Sequence, residues 1–260
     1  MDLGLAGRTA LVAGASSGLG LAVARALAAE GANVSICARD PQRLAAAHKE
    51  VDEVGTGHVL SVEVDVRDDA DVTRWVNQTV EEFGALHVVV TNTPGVPHGR
   101  ADAFTVDDYR QAVDGTMLPH VSTTLAALPH LRQAGWGRIL LITSEAVRQP
   151  LPGTAMSATA RLGVLGFAKG VVHSLGASGI TVNVLAPGVH QTPAFEGFVA
   201  ARPAVDRETA LKEIIAEVPL GRVGRPADFG ALAAFLASEQ AGFVTGTVLL
   251  VDGGNTRGVT

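Results

Sequence analysis

The sequence predicts an α/β fold: a doubly wound parallel sheet of about seven strands with helices on both faces, in a single domain. Three observations carry that expectation. Short apolar runs rich in β-branched residues alternate with longer segments whose apolar residues recur at helical spacing. A glycine turn stands between the first such run and the first helix. The chain has 260 residues, 47% of them apolar, and no linker, repeat or low-complexity stretch, which is enough for one well-buried core.

Thr9 to Ala13 reads as the first strand. Gly14, Gly18 and Gly20 follow in the spacing Gly-x-x-x-Gly-x-Gly, and an Ala/Leu-rich helix then runs to Gly31. Gly14 lets the chain turn tightly. Gly18 and Gly20 remove Cβ atoms where a pyrophosphate and the strand approach the helix start. The free N–H groups and positive dipole end there favour an anion. Asn33 to Ala38 is the second strand, Pro41 to Val54 a helix, and His58 to Val64 the third strand. Asp68 to Phe83 is a helix with Asp68 as its N-cap. Val88 to Thr91 is a buried strand and Asp107 to Arg132 one long helix. Arg138 to Thr143 is a strand, Thr154 to Leu175 a helix and Thr181 to Ala186 a strand. A helical insertion spans roughly Phe195 to Val218, within a loop region of about 192–219. Pro226 to Leu236 is a helix and Val248 to Val251 the last strand.

Ligands of such sheets bind outside the carboxyl ends of the strands, at the switch in strand order. Residues that follow strands are therefore the candidates. After strand two comes Ala38-Arg39-Asp40. A free ribose 2′-hydroxyl calls for an acidic residue here, a 2′-phosphate for an arginine. By spacing from Gly20 the acidic position falls on Ala38 and the basic one on Arg39, which favours NADP(H). The competing reading makes Arg39 a solvated charge at a strand end, and Asp40 leaves room for the other cofactor.

The net charge of −6, without a basic cluster, argues against nucleic acid. No apolar run approaches a membrane span, and the N-terminus lacks the charged start and long apolar stretch of a signal peptide. A cytoplasmic protein is expected. Cys37 is the single cysteine, so there is no internal disulfide and no cysteine metal cluster, and no metal site is expected. Its simplest role is a small buried residue in a strand.

The post-strand residues continue as Asp65-Val66, Asn92-Thr93-Pro94-Gly95, Ser144-Glu145 and Pro187-Gly188-Val189-His190-Gln191-Thr192. With the glycine turn and the tail from Phe243 to Gly254, these make the chain resemble the short-chain dehydrogenase/reductase family from about Leu5 to Gly254, nearest in flavour to the β-ketoacyl carrier-protein reductases. The resemblance implies a Rossmann-type sheet and a nicotinamide cofactor. It implies that Gly14, Ser16, Ser17, Gly18, Leu19 and Gly20 line the pyrophosphate and that Asp65 and Val66 frame the adenine. Asn92 would lie along the cofactor, and Pro187, Gly188, Val189 and Thr192 would hold its carboxamide end. It also implies a homotetramer, or failing that a dimer, built through the two long helices and the C-terminal strand, where Gly163, Gly166, Ala168, Val171 and Val172 suit close helix contact.

The catalytic part departs from that family, which uses Asn, Ser and Tyr-x-x-x-Lys. Arg161 meets the Lys position, Ser157 the Tyr position and Thr116 the Asn position, and only Ser144 is unchanged. Ser157 and Arg161, four apart, share a helix face. A serine hydroxyl is a poor acid near neutral pH, and Arg161 binds ribose hydroxyls without giving up its proton. Tyr109, the single tyrosine, reads as a packing aromatic. His190 and His98 are weaker candidates near the substrate mouth, Glu145 reads as a solvated or salt-bridged carboxylate, and Arg148 as a surface charge. Three functions compete. One is an NADPH-dependent reductase of a small-molecule carbonyl with an atypical proton source. The second is a cofactor-binding protein without turnover, and the third a non-redox enzyme on the same scaffold.

Overall fold

The computed structural model describes residues 1–200 and 206–258. Seven strands among them are β1 (Thr9–Val12), β2 (Asn33–Ala38), β3 (Val59–Glu63), β4 (Val88–Thr91), β5 (Gly137–Ile142), β6 (Ile180–Pro187) and β7 (Val248–Val251). All pair parallel, in the spatial order β3-β2-β1-β4-β5-β6-β7. The order reverses between β1 and β4, where Val12 lies between Ile36 and Val90. Ligands of open α/β sheets gather outside the strand ends at such a reversal.

The helices are α1 (Gly18–Ala29), α2 (Pro41–Asp52), α3 (Asp69–Phe83), α4 (Val106–Ala112), α5 (Leu118–Ala134), α6 (Ala155–Leu175), α7 (Pro193–Ala200), α8 (Arg207–Glu217) and α9 (Pro226–Leu236). Alternate strand residues point to opposite faces, and the two cores follow from that. Val12 and Leu185 pack with Val23, Leu27, Leu44 and Phe229 on the α1, α2 and α9 side. Leu11 and Val184 pack with Trp75, Val76, Leu131 and Val164 on the α3, α5 and α6 side. Among the described residues no helix is long and apolar enough to cross a membrane, and no group of three or more His, Cys, Asp or Glu could hold a metal ion.

Two expectations need correction. The single long helix from Asp107 to Arg132 is instead α4, a π turn over Val113–Met117, and α5. Pro119 explains the break: it has no N–H to donate, and the Leu118 N–H reaches back to the Val113 carbonyl instead. Thr116 sits inside this turn. The second correction concerns the small residues of α6. Ala168 and Val171 are buried in the core, and a Cβ on Gly163 would stand 2.5 Å from the Met117 sulfur. Gly166 and Gly170 are the ones with open space beside them. The insertion is two helices, α7 and α8; positions 201–205 of the expected helical stretch lie outside the described residues.

Candidate active site

A cleft of about 390 Å³ opens at the carboxyl ends of the strands around the β1–β4 reversal. Gly14, Ser16, Ser17, Gly18 and Leu19 form one wall, and Arg39 and Val66 the wall beyond β2 and β3. Asn92, Pro187 and Thr192 come from the far side, and Arg161 reaches in from α6. Thr93, Thr143 and Cys37 also line it. Burial pushes the Cys37 thiol up to about 12, so it is an inert packing group.

The glycine wall is built by backbone contact. Gly14 adopts φ +59°, a conformation that L side chains rarely take. A Cβ on Gly20 would lie 2.3 Å from the Gly14 carbonyl oxygen, so only glycine lets α1 start this close to the strand end. The Asn92 Nδ2–H donates to that same carbonyl at 3.3 Å and ties β4 to the turn. Thr192 stands against Gly18 and opens α7, its Oγ1 accepting from the Phe195 N–H at 3.2 Å.

Several other helix starts are closed by side chains. Asp40 caps α2, Asp68 caps α3, Thr105 caps α4 and Asp206 caps α8. The start of α1 is open: Ser17 makes no side-chain capping bond and no acidic residue occupies the first turn, and unlike the similarly uncapped α5 and α6 it lines the cleft with Ser17, Gly18 and Leu19. Its N–H donors face the cleft unclaimed, which fits a pyrophosphate. Both carboxylates near Arg39 are otherwise engaged. Asp40 accepts from the Gln42 and Arg43 N–H groups at 3.0 Å. Asp65 is held by Arg67 at 2.5 Å, and the side-chain hydrogen bond from Arg67 keeps its carboxyl below the ordinary range. Arg39 is exposed at the rim, its charge acts weakly on Asp65, and its guanidinium can meet an anion.

Arg161 is buried, and burial lowers its guanidinium to about 10, still charged at neutral pH. Its Nη1–H donates to Ser157 Oγ at 2.6 Å, one turn back on α6, while its Nε–H has no partner. Ser157 and Arg161 are thus joined, with the serine as acceptor and its own proton left over. Ser144 follows β5 and starts a short 3₁₀ turn; its Oγ accepts from the Ala146 N–H at 3.2 Å, which also leaves its proton free. Thr116 is buried on the π turn. Tyr109 packs edge-on to Phe104 and donates to the Ala101 carbonyl at 3.2 Å.

Some candidates point elsewhere. Val189 packs with the Phe195 cluster, and Gly188 is pressed against Asp252 and Glu145. His190 is buried edge-on to Phe229 with Nδ1 3.0 Å from the Gly188 carbonyl, and burial lowers its pKa. It is a packed histidine lining a separate cavity with Leu220 and Asp252. His98 is exposed and lies against Phe198, the ring centroids 5.1 Å apart. Sequence reasoning passed over His120 altogether. It lies fully buried one turn beyond Thr116, and that four-residue spacing was the signal that could have found it.

Glu145 is neither solvated nor salt-bridged. It is buried, accepts from Asn255 Nδ2–H at 3.0 Å, and burial raises its pKa against the lowering by that bond, with Asp252 and Glu217 raising it further. A carboxyl whose folded value lies above its unfolded one stabilises the fold below the unfolded value and loses that contribution as pH rises through the folded one. Glu145→Gln keeps an oxygen for Asn255 and removes the charge. Calorimetric melting should show a gain of roughly 2 °C near pH 8 that vanishes near pH 4.

Residues 14–256 match the family model described as enoyl-(acyl carrier protein) reductase. The oxidoreductase UcpA of Escherichia coli O157:H7 is 33% identical over 257 residues, covering 97% of this chain and 95% of that protein. L-sorbose reductase of Gluconobacter frateurii, solved with NADPH and L-sorbose, superposes with TM-score 0.94 at 27% identity over 100% of both chains. A variant actinorhodin polyketide ketoreductase solved with NADPH superposes with TM-score 0.90 at 31% identity over 96% of this chain and 98% of that one.

Proposed function

Because the chain belongs to the short-chain dehydrogenase/reductase family, we propose that it is an NADP(H)-dependent oxidoreductase that reduces the carbonyl of a small molecule in an atypical active site. One observation carries the reading furthest: an open, uncapped helix start and an exposed Arg39 share a cleft with a buried, charged Arg161. The NADPH-bound relatives support the same choice of cofactor.

The α1 N–H groups and Ser16 hold the pyrophosphate, Arg39 the 2′-phosphate and Val66 the adenine. Arg161 holds the nicotinamide ribose. When bound, the cofactor supplies the hydride that reduces the carbonyl carbon. The Ser144 hydroxyl donates to the carbonyl oxygen, on which negative charge develops, and the Arg161 guanidinium stabilises that charge through a dry environment. Ser157 serves as the acceptor that orients Arg161, not as a general acid. The proton comes from water or from an acidic group of the substrate itself, since Ser144 and Ser157 offer only hydroxyls and Arg161 does not give up its proton.

Arg39→Ala should weaken NADPH binding about tenfold or more by calorimetry while leaving NADH binding within about twofold. Equal losses for both cofactors would remove Arg39 from the 2′-phosphate. An absorbance screen of NADPH oxidation over quinones, diketones and β-ketoacyl thioesters tests the reduction itself. NADPH binding with no oxidation of any of them would favour the cofactor-binding reading without turnover.

A homotetramer is the assembly we propose. Leu118 and Leu125 on α5, Leu162 on α6 and the fully exposed Phe243 before β7 are large apolar side chains left in solvent by one chain. The open glycines of α6 would let a second copy approach. Light scattering at micromolar concentration should return four times the 26.7 kDa chain mass; a monomer would refute it.

A further inference from the structure

Of the buried polar atoms near the cleft that have no partner, two are nitrogens: Nε2 of His120 and Nε of Arg161. Orphans of this kind are rare in folded proteins, because each costs its full desolvation. They lie on elements that meet: Met117, three residues before His120, stands against Gly163, two residues after Arg161, and the Arg161 charge acts on the His120 ring. The other nitrogen of His120 is fixed: Nδ1 lies 2.5 Å from Thr91 Oγ1 at the end of β4. Pro119 directly follows the π turn and brings no N–H back to its carbonyls.

We propose that His120 is a positioning residue for Arg161: its Nδ1–H donates to Thr91 Oγ1, its Nε2 lone pair faces the guanidinium, and one buried water bridges Nε2 and the Arg161 Nε–H. The water donates to Nε2 and accepts from Nε–H, satisfying both orphans. The tautomer follows from electrostatics, because an acceptor nitrogen is favoured over an N–H facing a cation. Burial and the Arg161 charge push His120 down to about 3, so the ring stays neutral and does not repel the cation. Arg161 is then gripped at two points, Nη1 by Ser157 and Nε by the water, at the wall of the cleft it lines. Thr91, His120, Ser157 and Arg161 come from three elements and form one polar chain beneath the site.

The consequence for cofactor affinity rests on the ribose-binding role given to Arg161 above; the hydrogen-bond arrangement does not. Long-range ¹H–¹⁵N spectra of the full chain without cofactor test the arrangement directly. Wild-type His120 should show a single neutral tautomer, protonated at Nδ1, from about pH 5 to about pH 8. The Arg161 Nε–H signal, assigned by its loss in Arg161→Met, should exchange slowly with solvent. His120→Gln places an oxygen where Nε2 was and should keep that slow signal. His120→Asn retains only the Nδ1-like position and should lose it, with NADPH affinity falling about tenfold while the Gln variant stays near wild type. A His120 protonated at Nε2, a ring that titrates in that range, or an Arg161 signal alike in all three proteins would overturn the proposal. The tautomer is read on the wild type, so a poorly folding variant does not spare it. If NADPH fails to bind while the signals behave as stated, the cofactor reading fails and the His120–Arg161 pair stands.

Discussion

Ser144→Ala should lower kcat/KM for carbonyl reduction on the order of 10²-fold, with NADPH affinity unchanged. The hydroxyl accepts from the Ala146 N–H, and its own proton is the one proposed for the substrate oxygen. The bond it makes there strengthens as charge develops, so its loss falls on the transition state and kcat drops with it. Ser157→Ala should behave differently. It removes the 2.6 Å acceptor of Arg161 Nη1, so the expected change is a few-fold weaker NADPH affinity with kcat nearly kept. Stopped-flow turnover and calorimetric cofactor binding on the same two variants separate the roles. If Ser157→Ala instead abolishes turnover with NADPH still bound and the fold intact, Ser157 belongs to the proton path and the assignment of roles is wrong.

The second large effect is structural. Gly20→Ala puts a Cβ 2.3 Å from the Gly14 carbonyl oxygen and 2.9 Å from its carbon. Both are backbone atoms, so no rotamer change relieves the clash, and α1 must move away from β1. Overpacking of this kind typically costs about 1–3 kcal/mol, and more where backbone cannot yield. The displaced helix start also withdraws its N–H donors from the cleft. Thermal melting should fall by at least roughly 3 °C and NADPH binding should be lost together with it. A variant with wild-type stability and affinity would show that this close approach is not needed.

The strands and the glycine wall were legible because each rests on a local pattern. β-branched runs mark parallel strands buried on both faces, and Gly14 and Gly20 stand where a turn and a helix–strand contact exclude a Cβ. That Arg39 stands at the cleft follows from its place after the second strand, though what holds the carboxylates beside it does not. That depends on Asp40 capping α2 and on Asp65 engaging Arg67. The missed features are mostly long-range. Glu145 is buried by Asn255, 110 positions away, and His190 by Phe229 and the loop at Gly224. No single-sequence periodicity reports such contacts. The π turn ahead of Pro119 had a local signal, the proline itself, but the helical spacing around it carried the reading. His120 escaped notice because an apolar environment is a tertiary fact, visible only once β4, α5 and α6 are packed.

The sheet order also governs when the cleft can exist. Gly14 and Asn92 touch although 78 positions separate them, and Arg161 and Thr192 join from still later in the chain. The central β1–β4 pair closes only after two β–α crossovers have been laid down on one side. Long loops must be closed before any of these contacts repays their entropy, so the folding of this topology is slow and its transition state remote from the unfolded chain. During synthesis the glycine turn emerges early but remains without its opposite wall until most of the chain has been made. Recognition is therefore gated by completion of the sheet: an arrested or truncated chain carries the phosphate-binding motif in its sequence while lacking the surface that would read a nucleotide.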